Sequence, residues 1–101
     1  MTSQFVMIKA DIYCEWKHRE PPSYRVFVND ELFAERTYVW RDQYLEELLQ
    51  IWAPPGKYAL RWELVPNCRG TLRVENVRIE EGPQGSRIVK NSLLRIEDES
   101  I

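Results

Sequence analysis

The feature that most limits what this chain can fold into is an unbroken period-two alternation near its start. Val6, Ile8, Ala10, Ile12, Cys14 and Trp16 fall on one parity, and Met7, Lys9, Asp11, Tyr13, Glu15 and Lys17 fall on the other. Successive side chains of a β-strand point to opposite faces of a sheet, so the pattern specifies one long strand, buried on one face and solvated on the other. A helix would scatter both sets around its circumference. Such a strand requires a sheet, and the sheet requires a second layer over its apolar face.

The rest of the chain supplies both. His18 to Ser23 carry charges and the pair Pro21-Pro22, which removes two backbone donors and restricts the residues before it, so this stretch reads as a loop. Tyr24 to Val28 alternate again and end at Asn29-Asp30, residues that tolerate left-handed turn geometry. With a strand from about Leu32 to Trp40 after it, this predicts a hairpin. Turn signals continue at Arg41-Asp42-Gln43, Pro54-Pro55-Gly56-Lys57, Pro66-Asn67-Cys68-Arg69-Gly70 and Glu81-Gly82-Pro83-Gln84-Gly85. A break roughly every 12 residues is the spacing of an antiparallel sandwich or barrel. Tyr58, Leu60, Trp62 and Leu64 mark one further strand, and Leu72 and Val74 another. After Val74 the apolar positions change parity to Val77 and Ile79, and one extra residue near Asn76, a β-bulge, would restore the face.

Residues 42–52 carry two patterns. Asp42 as an N-cap with Leu45, Leu48, Leu49 and Trp52 spells a helix, whereas Leu45, Glu47, Leu49 and Ile51 spell a strand. Strands on both sides at hairpin spacing favour a strand from about Glu47 to Ala53, with a single turn over Gln43–Glu46 ahead of it. The expected architecture is therefore all-β: an antiparallel, jelly-roll-like β-sandwich over residues 1–80, followed by a linker and C-terminal arm over 81–101. Ile88-Val89 and Leu93-Leu94-Arg95-Ile96 form short apolar patches in that arm. They read either as a device that packs on a neighbouring subunit or as a last edge strand folding back on its own domain.

Length and charge exclude several roles. A chain of 101 residues makes one domain of ordinary size. With 14 Lys and Arg against 16 Asp and Glu, interleaved, it lacks the clustered positive charge that binding a phosphate backbone needs, so no nucleic acid is expected as a partner. No apolar run approaches the roughly 18 residues of a membrane span, and MTSQFVMIKAD has neither the basic region nor the cleavage site of a signal peptide, which predicts a protein made and kept in a cytoplasm, away from membranes.

Catalytic constellations do not assemble either. His18, the one histidine, sits between Lys17 and Arg19, where a base is poorly oriented. Cys14 and Cys68 lack the spacing of a metal or redox motif, so Cys14 reads as a packed thiol and a bridge between the two is disfavoured in a reducing compartment. Glu46-Glu47, Glu80-Glu81 and Glu97-Asp98-Glu99 read as solvated charges, because neighbours on a strand face opposite ways and no calcium-loop spacing is present. The expectation is a non-enzyme with no catalytic residue, cofactor or metal site. What remains is aromatic content. By alternation Trp16 and Trp62 point inward, leaving Trp40, Tyr44 and Trp52, close to loop ends, as surface rings for stacking on a ligand or anchoring an interface.

From Tyr24 onward the order YRVFVNDELFAERT, YLEELLQI, APPGKYALRWELV, TLRVENVRI resembles the jelly-roll β-sandwiches of carbohydrate-binding modules, over about residues 24–80. It also looks like small virion proteins of tailed phages, including those of marine cyanobacteria. The Asn/Asp-rich ligand loop of the calcium-dependent sugar-binding families is replaced here by PNCRG, in which Asn67 is the one candidate ligand residue. The resemblance implies a non-enzymatic virion structural or decoration protein, assembled in the host cytoplasm, that binds itself as a homo-oligomer or binds other particle subunits. Trp40, Tyr44 and Trp52, with Ile88, Leu93, Leu94 and Ile96 of the arm, would form its contacts. The alternative it implies is a carbohydrate-binding module that uses the same rings against glycans.

Overall fold

The computed structural model describes residues 4–17, 19–39 and 43–96. The eight strands are β1 (Gln4–Glu15), β2 (Ser23–Val28), β3 (Glu31–Thr37), β4 (Leu45–Ala53), β5 (Gly56–Leu64), β6 (Thr71–Glu81), β7 (Ser86–Val89) and β8 (Leu93–Ile96). They form two antiparallel sheets, one ordered β4-β1-β6 and the other β3-β2-β5-β8-β7, and no helix occurs among the described residues. The fold is an all-β antiparallel β-sandwich. The β2–β3 and β7–β8 connections are hairpins within one sheet; every other connection crosses to the opposite sheet.

The alternation of β1 fixes the core. Val6, Ile8, Ala10 and Ile12 have no solvent access and, with Cys14 and Trp16, meet Leu49 and Ile51 of β4 beside them and Tyr24, Val26, Leu60, Leu94 and Ile96 from the facing sheet. Trp62 is half-buried against this cluster. Burial of these side chains, at roughly 1.5–3 kcal/mol for each large aliphatic one, is what holds the two layers together.

Turn chemistry matches local sequence. Asn29 and Asp30 take φ of 50° and 66°, the paired left-handed values of a tight hairpin turn, and close β2 onto β3. Against β1, the register of β6 passes from Lys9↔Arg78 to Asp11↔Glu75, so β6 spends one residue more than β1 over that step. Asn76 lies in this bulge at φ 53°, which restores Val74 and Ile79 to the inner face. Gly70 has a steric role: a Cβ there would come within 2.8 Å of the Glu15 carbonyl oxygen, so only glycine lets the start of β6 lie this close to the end of β1.

Four features differ from the sequence expectation. No turn occupies 43–46, because β4 begins at Leu45 and pairs with β1 along its whole length, from Ile12↔Leu45 to Gln4↔Ala53. Glu47 is not solvated: strand parity turns it inward with Leu49 and Ile51, and it is 4% exposed. Leu94 and Ile96 offer no surface for an interface. Their strand β8 pairs with β5 of the same chain, from Gly56↔Ile96 to Ala59↔Leu93, and its parity sends both side chains into the core. The segment after the Gly/Pro linker thus forms the β7–β8 hairpin on the edge of the five-stranded sheet. The third strand ends at Thr37, short of the expected Trp40, and Tyr38 and Val39 follow it outside any strand. Trp40 itself, the loop residue His18 and the acidic end Glu97–Ile101 lie outside the described residues.

Candidate functional site

The open face of the sheet β4-β1-β6 carries the exposed rings Phe5, Tyr44 and Trp52, while Phe33 is exposed on β3 of the other sheet. Outward parity on β1 presents Phe5, Met7, Lys9, Asp11 and Tyr13, and on β4 presents Glu46, Leu48, Gln50 and Trp52. Three zones follow along the strands.

At one end Phe5 and Trp52, partners in register, meet edge to face with centroids 4.3 Å apart and remain 52% and 59% exposed. Leu48, also exposed, lies further along β4. In the middle is a charge lattice. Lys9 reaches Glu46 at 3.2 Å and Glu80 at 3.4 Å, while the Arg78 guanidinium reaches Asp11 at 3.1 Å and Glu46 at 2.9 Å. Hydrogen bonding to Glu46 pushes the Lys9 ammonium, and hydrogen bonding to Asp11 the Arg78 guanidinium, above their ordinary ranges, so both stay charged.

At the other end Tyr13 stacks on Tyr44, centroids 5.5 Å apart and planes at 23°, and the Arg73 guanidinium lies 4.4 Å from the Tyr13 ring centre. Strand order makes this a row across the sheet, from Arg73 on β6 to Tyr13 on β1 to Tyr44 at the entry of β4. These side chains border an open groove lined also by Trp16, Lys17, Gln43 and Arg69. Tyr38 shapes it from below. Its buried ring meets Trp16 edge to face at 5.9 Å, and its hydroxyl lies in hydrogen-bond reach of the Ile12 carbonyl, at 3.0 Å, and of the Gln43 carbonyl. That hydroxyl ties the chain entering β4 to β1 and so sets where Tyr44 stands.

Tyr44 and Trp52, both candidates on sequence, are exposed as surface rings. They are not brought together: eight residues of extended chain, about 27 Å, separate them along β4. Trp40 lies outside the described residues. Asn67, at φ 73°, occupies the left-handed position of its turn, and it is Arg69 from the same loop that lines the groove. Ile88 is half-buried against the core and Leu93 is half-buried on β8, while Leu94 and Ile96 are core residues. Phe5, Tyr13, Arg69 and Arg73 were not singled out from sequence. The parity of β1 already places Phe5 and Tyr13 on the outward face, but nothing local shows that Trp52 and Tyr44 stand beside them.

Both cysteines are free thiols. Burial raises the Cys14 thiol above its ordinary range, and Cys68 accepts a hydrogen bond from the Ser23 amide at 3.4 Å. Among the described residues no group of three or more His, Cys, Asp or Glu side chains is placed to hold a metal ion, and no helix is long and apolar enough to cross a membrane. Comparison with protein-family models, curated proteins and solved structures returns no match to this chain.

Proposed function

We propose that this protein is a non-enzymatic structural subunit, of the kind that decorates a phage particle, and that it binds its own copies or neighbouring subunits through the apolar end of the β4-β1-β6 face. The observation that carries the reading is the Phe5–Trp52 pair, two large rings more than half exposed beside an edge strand. Exposed aromatic pairs of this size anchor protein interfaces, and an edge strand offers unpaired backbone groups for strand addition.

The sequence of β4 suits a second copy. Antiparallel pairing of two β4 strands centred on Gln50 sets Leu48 of one copy opposite Trp52 of the other, twice, with Phe5 alongside. It also sets Glu46 opposite Pro54 and Glu47 opposite Ala53, so no like charges meet. The particle setting, with assembly in a host cytoplasm, rests on the resemblance to small virion proteins.

Light scattering behind a sizing column tests the self-association. The full chain is expected to run as a dimer or larger, with an interface on the order of 1,600 Å², and Phe5→Ser/Trp52→Ser to run as a folded monomer. A full chain that stays monomeric at about 1 mM overturns it.

A second reading, carbohydrate binding, is favoured by the groove at the opposite end of the same face. There Tyr44, 54% exposed, offers a ring platform next to the polar groups of Gln43 and Arg69.

A further inference from the structure

The groove beside Tyr44 has a charge that the chain as a whole does not. Lys17, Arg69 and Arg73 line it against a single described carboxylate, Glu15, in a protein of net charge -2. Arg73 is partly engaged, 3.3 Å from Glu75 and over the Tyr13 ring. Lys17 and Arg69 have no carboxylate partner among the described residues. Two cations without a carboxylate partner among the described residues therefore stand next to an exposed ring and the Gln43 amide.

We infer that this groove binds an acidic sugar, a pyranose bearing a carboxylate or sulfate, with its apolar face on Tyr44 and its anion on Arg69 and Lys17. The inference rests on the carbohydrate-binding reading and names the class of glycan. One acidic pyranose satisfies each element of the site. Its C–H face covers the ring, its anionic group accepts charge-assisted hydrogen bonds from guanidinium and ammonium, and its hydroxyls meet Gln43 and Thr71. A nucleic-acid strand fits less well, because it needs cations along a continuous track. Here the positive zone is bounded on the same face by Glu75, Asp11 and Glu46. The Tyr38 hydroxyl, by holding the Gln43 carbonyl, positions the platform before any ligand arrives.

The test is a titration of the full chain, followed by amide chemical shifts, with trigalacturonate, with its fully methyl-esterified form and with a short oligothymidylate. The expected result is binding of trigalacturonate that the ester loses by on the order of tenfold, and that Lys17→Ala/Arg69→Ala and Tyr44→Ala each reduce to a similar degree. Phe33→Ala, an exposed ring on the opposite sheet, leaves it unchanged. Both cations and Tyr44 are exposed, so these variants keep the fold, which the unshifted core amides verify. Equal binding of acid and ester, insensitive to the double variant, overturns the acidic specificity and leaves the carbohydrate reading standing. Tighter binding of oligothymidylate makes the site one for nucleic acid and overturns the inference. No shifts with any of the three removes both the inference and the reading beneath it.

Discussion

Glu47 holds a carboxylate almost out of solvent by giving it two donors: the Tyr24 hydroxyl at 2.9 Å and the Arg36 Nε at 2.6 Å, both on the Oε1 oxygen. The trio links β4 to β2 and β3 across the open side of the sandwich, so it ties the two sheets where neither closes on the other. Burial, and then the adjacent Glu47 carboxylate, push the Tyr24 hydroxyl far above its ordinary value near 10. The folded state therefore keeps a proton that the unfolded chain releases above about pH 10, and stability from this shift is complete below that pH and lost as pH rises through the folded value. The unfolding free energy of Tyr24→Phe, read from urea denaturation, is expected to be lower than wild type by about 1 kcal/mol at pH 7, from the lost hydrogen bond, and to decline less steeply than wild type above about pH 10. Equal alkaline slopes would place the titrating group elsewhere. In the sequence, Glu46-Glu47 is an ordinary charged pair; the strand pattern turns Glu47 inward, but its partners come from residues 23 and 11 positions away and no local signal announces them.

At the level of single elements, local chemistry specified some structures fully and others only in part. The β2–β3 hairpin and the bulge at Asn76 were legible because each needs left-handed backbone at a residue that tolerates it, and because alternation before and after shows the face that must be kept. Residues 45–53 were ambiguous because a helix and a strand place leucines equally well there. The choice came from β1, whose apolar face extends across nine paired positions of β4. The β7–β8 hairpin is a second case: short apolar patches behind a Gly/Pro linker cannot reveal which chain they cover. Val77 N–H donates to the Asn91 side chain at 3.1 Å and Leu60 N–H to the Ser92 carbonyl at 2.8 Å, fastening the β7–β8 turn to both sheets. Leu94→Ala is accordingly expected to cost about 2–5 kcal/mol in chemical denaturation, and a chain ended at Gly85 to show no cooperative transition. A truncated chain that unfolds cooperatively near the wild-type midpoint would show that β8 is not part of the core.

The molecule as a whole is a flattened rod of 54 × 22 × 19 Å whose long face divides its labour by position: rings at one end, a charge lattice in the middle, a cationic groove at the other. The lattice of Lys9, Arg78, Asp11 and Glu46 lies between the two ends and makes the centre of the face charged. The layers of this arrangement follow from alternation, whereas the pairing of Phe5 with Trp52 and of Tyr13 with Tyr44 follows from register, which one strand's sequence does not contain. The central claim is that β4, with Phe5 beside it, is where another subunit attaches. Hydrogen exchange of the full chain at about 10 µM and about 500 µM addresses it directly. Added protection at the higher concentration confined to residues 45–53 is the predicted result; unchanged exchange in β4, or protection gained on β3 or on residues 86–96 in its place, would contradict it.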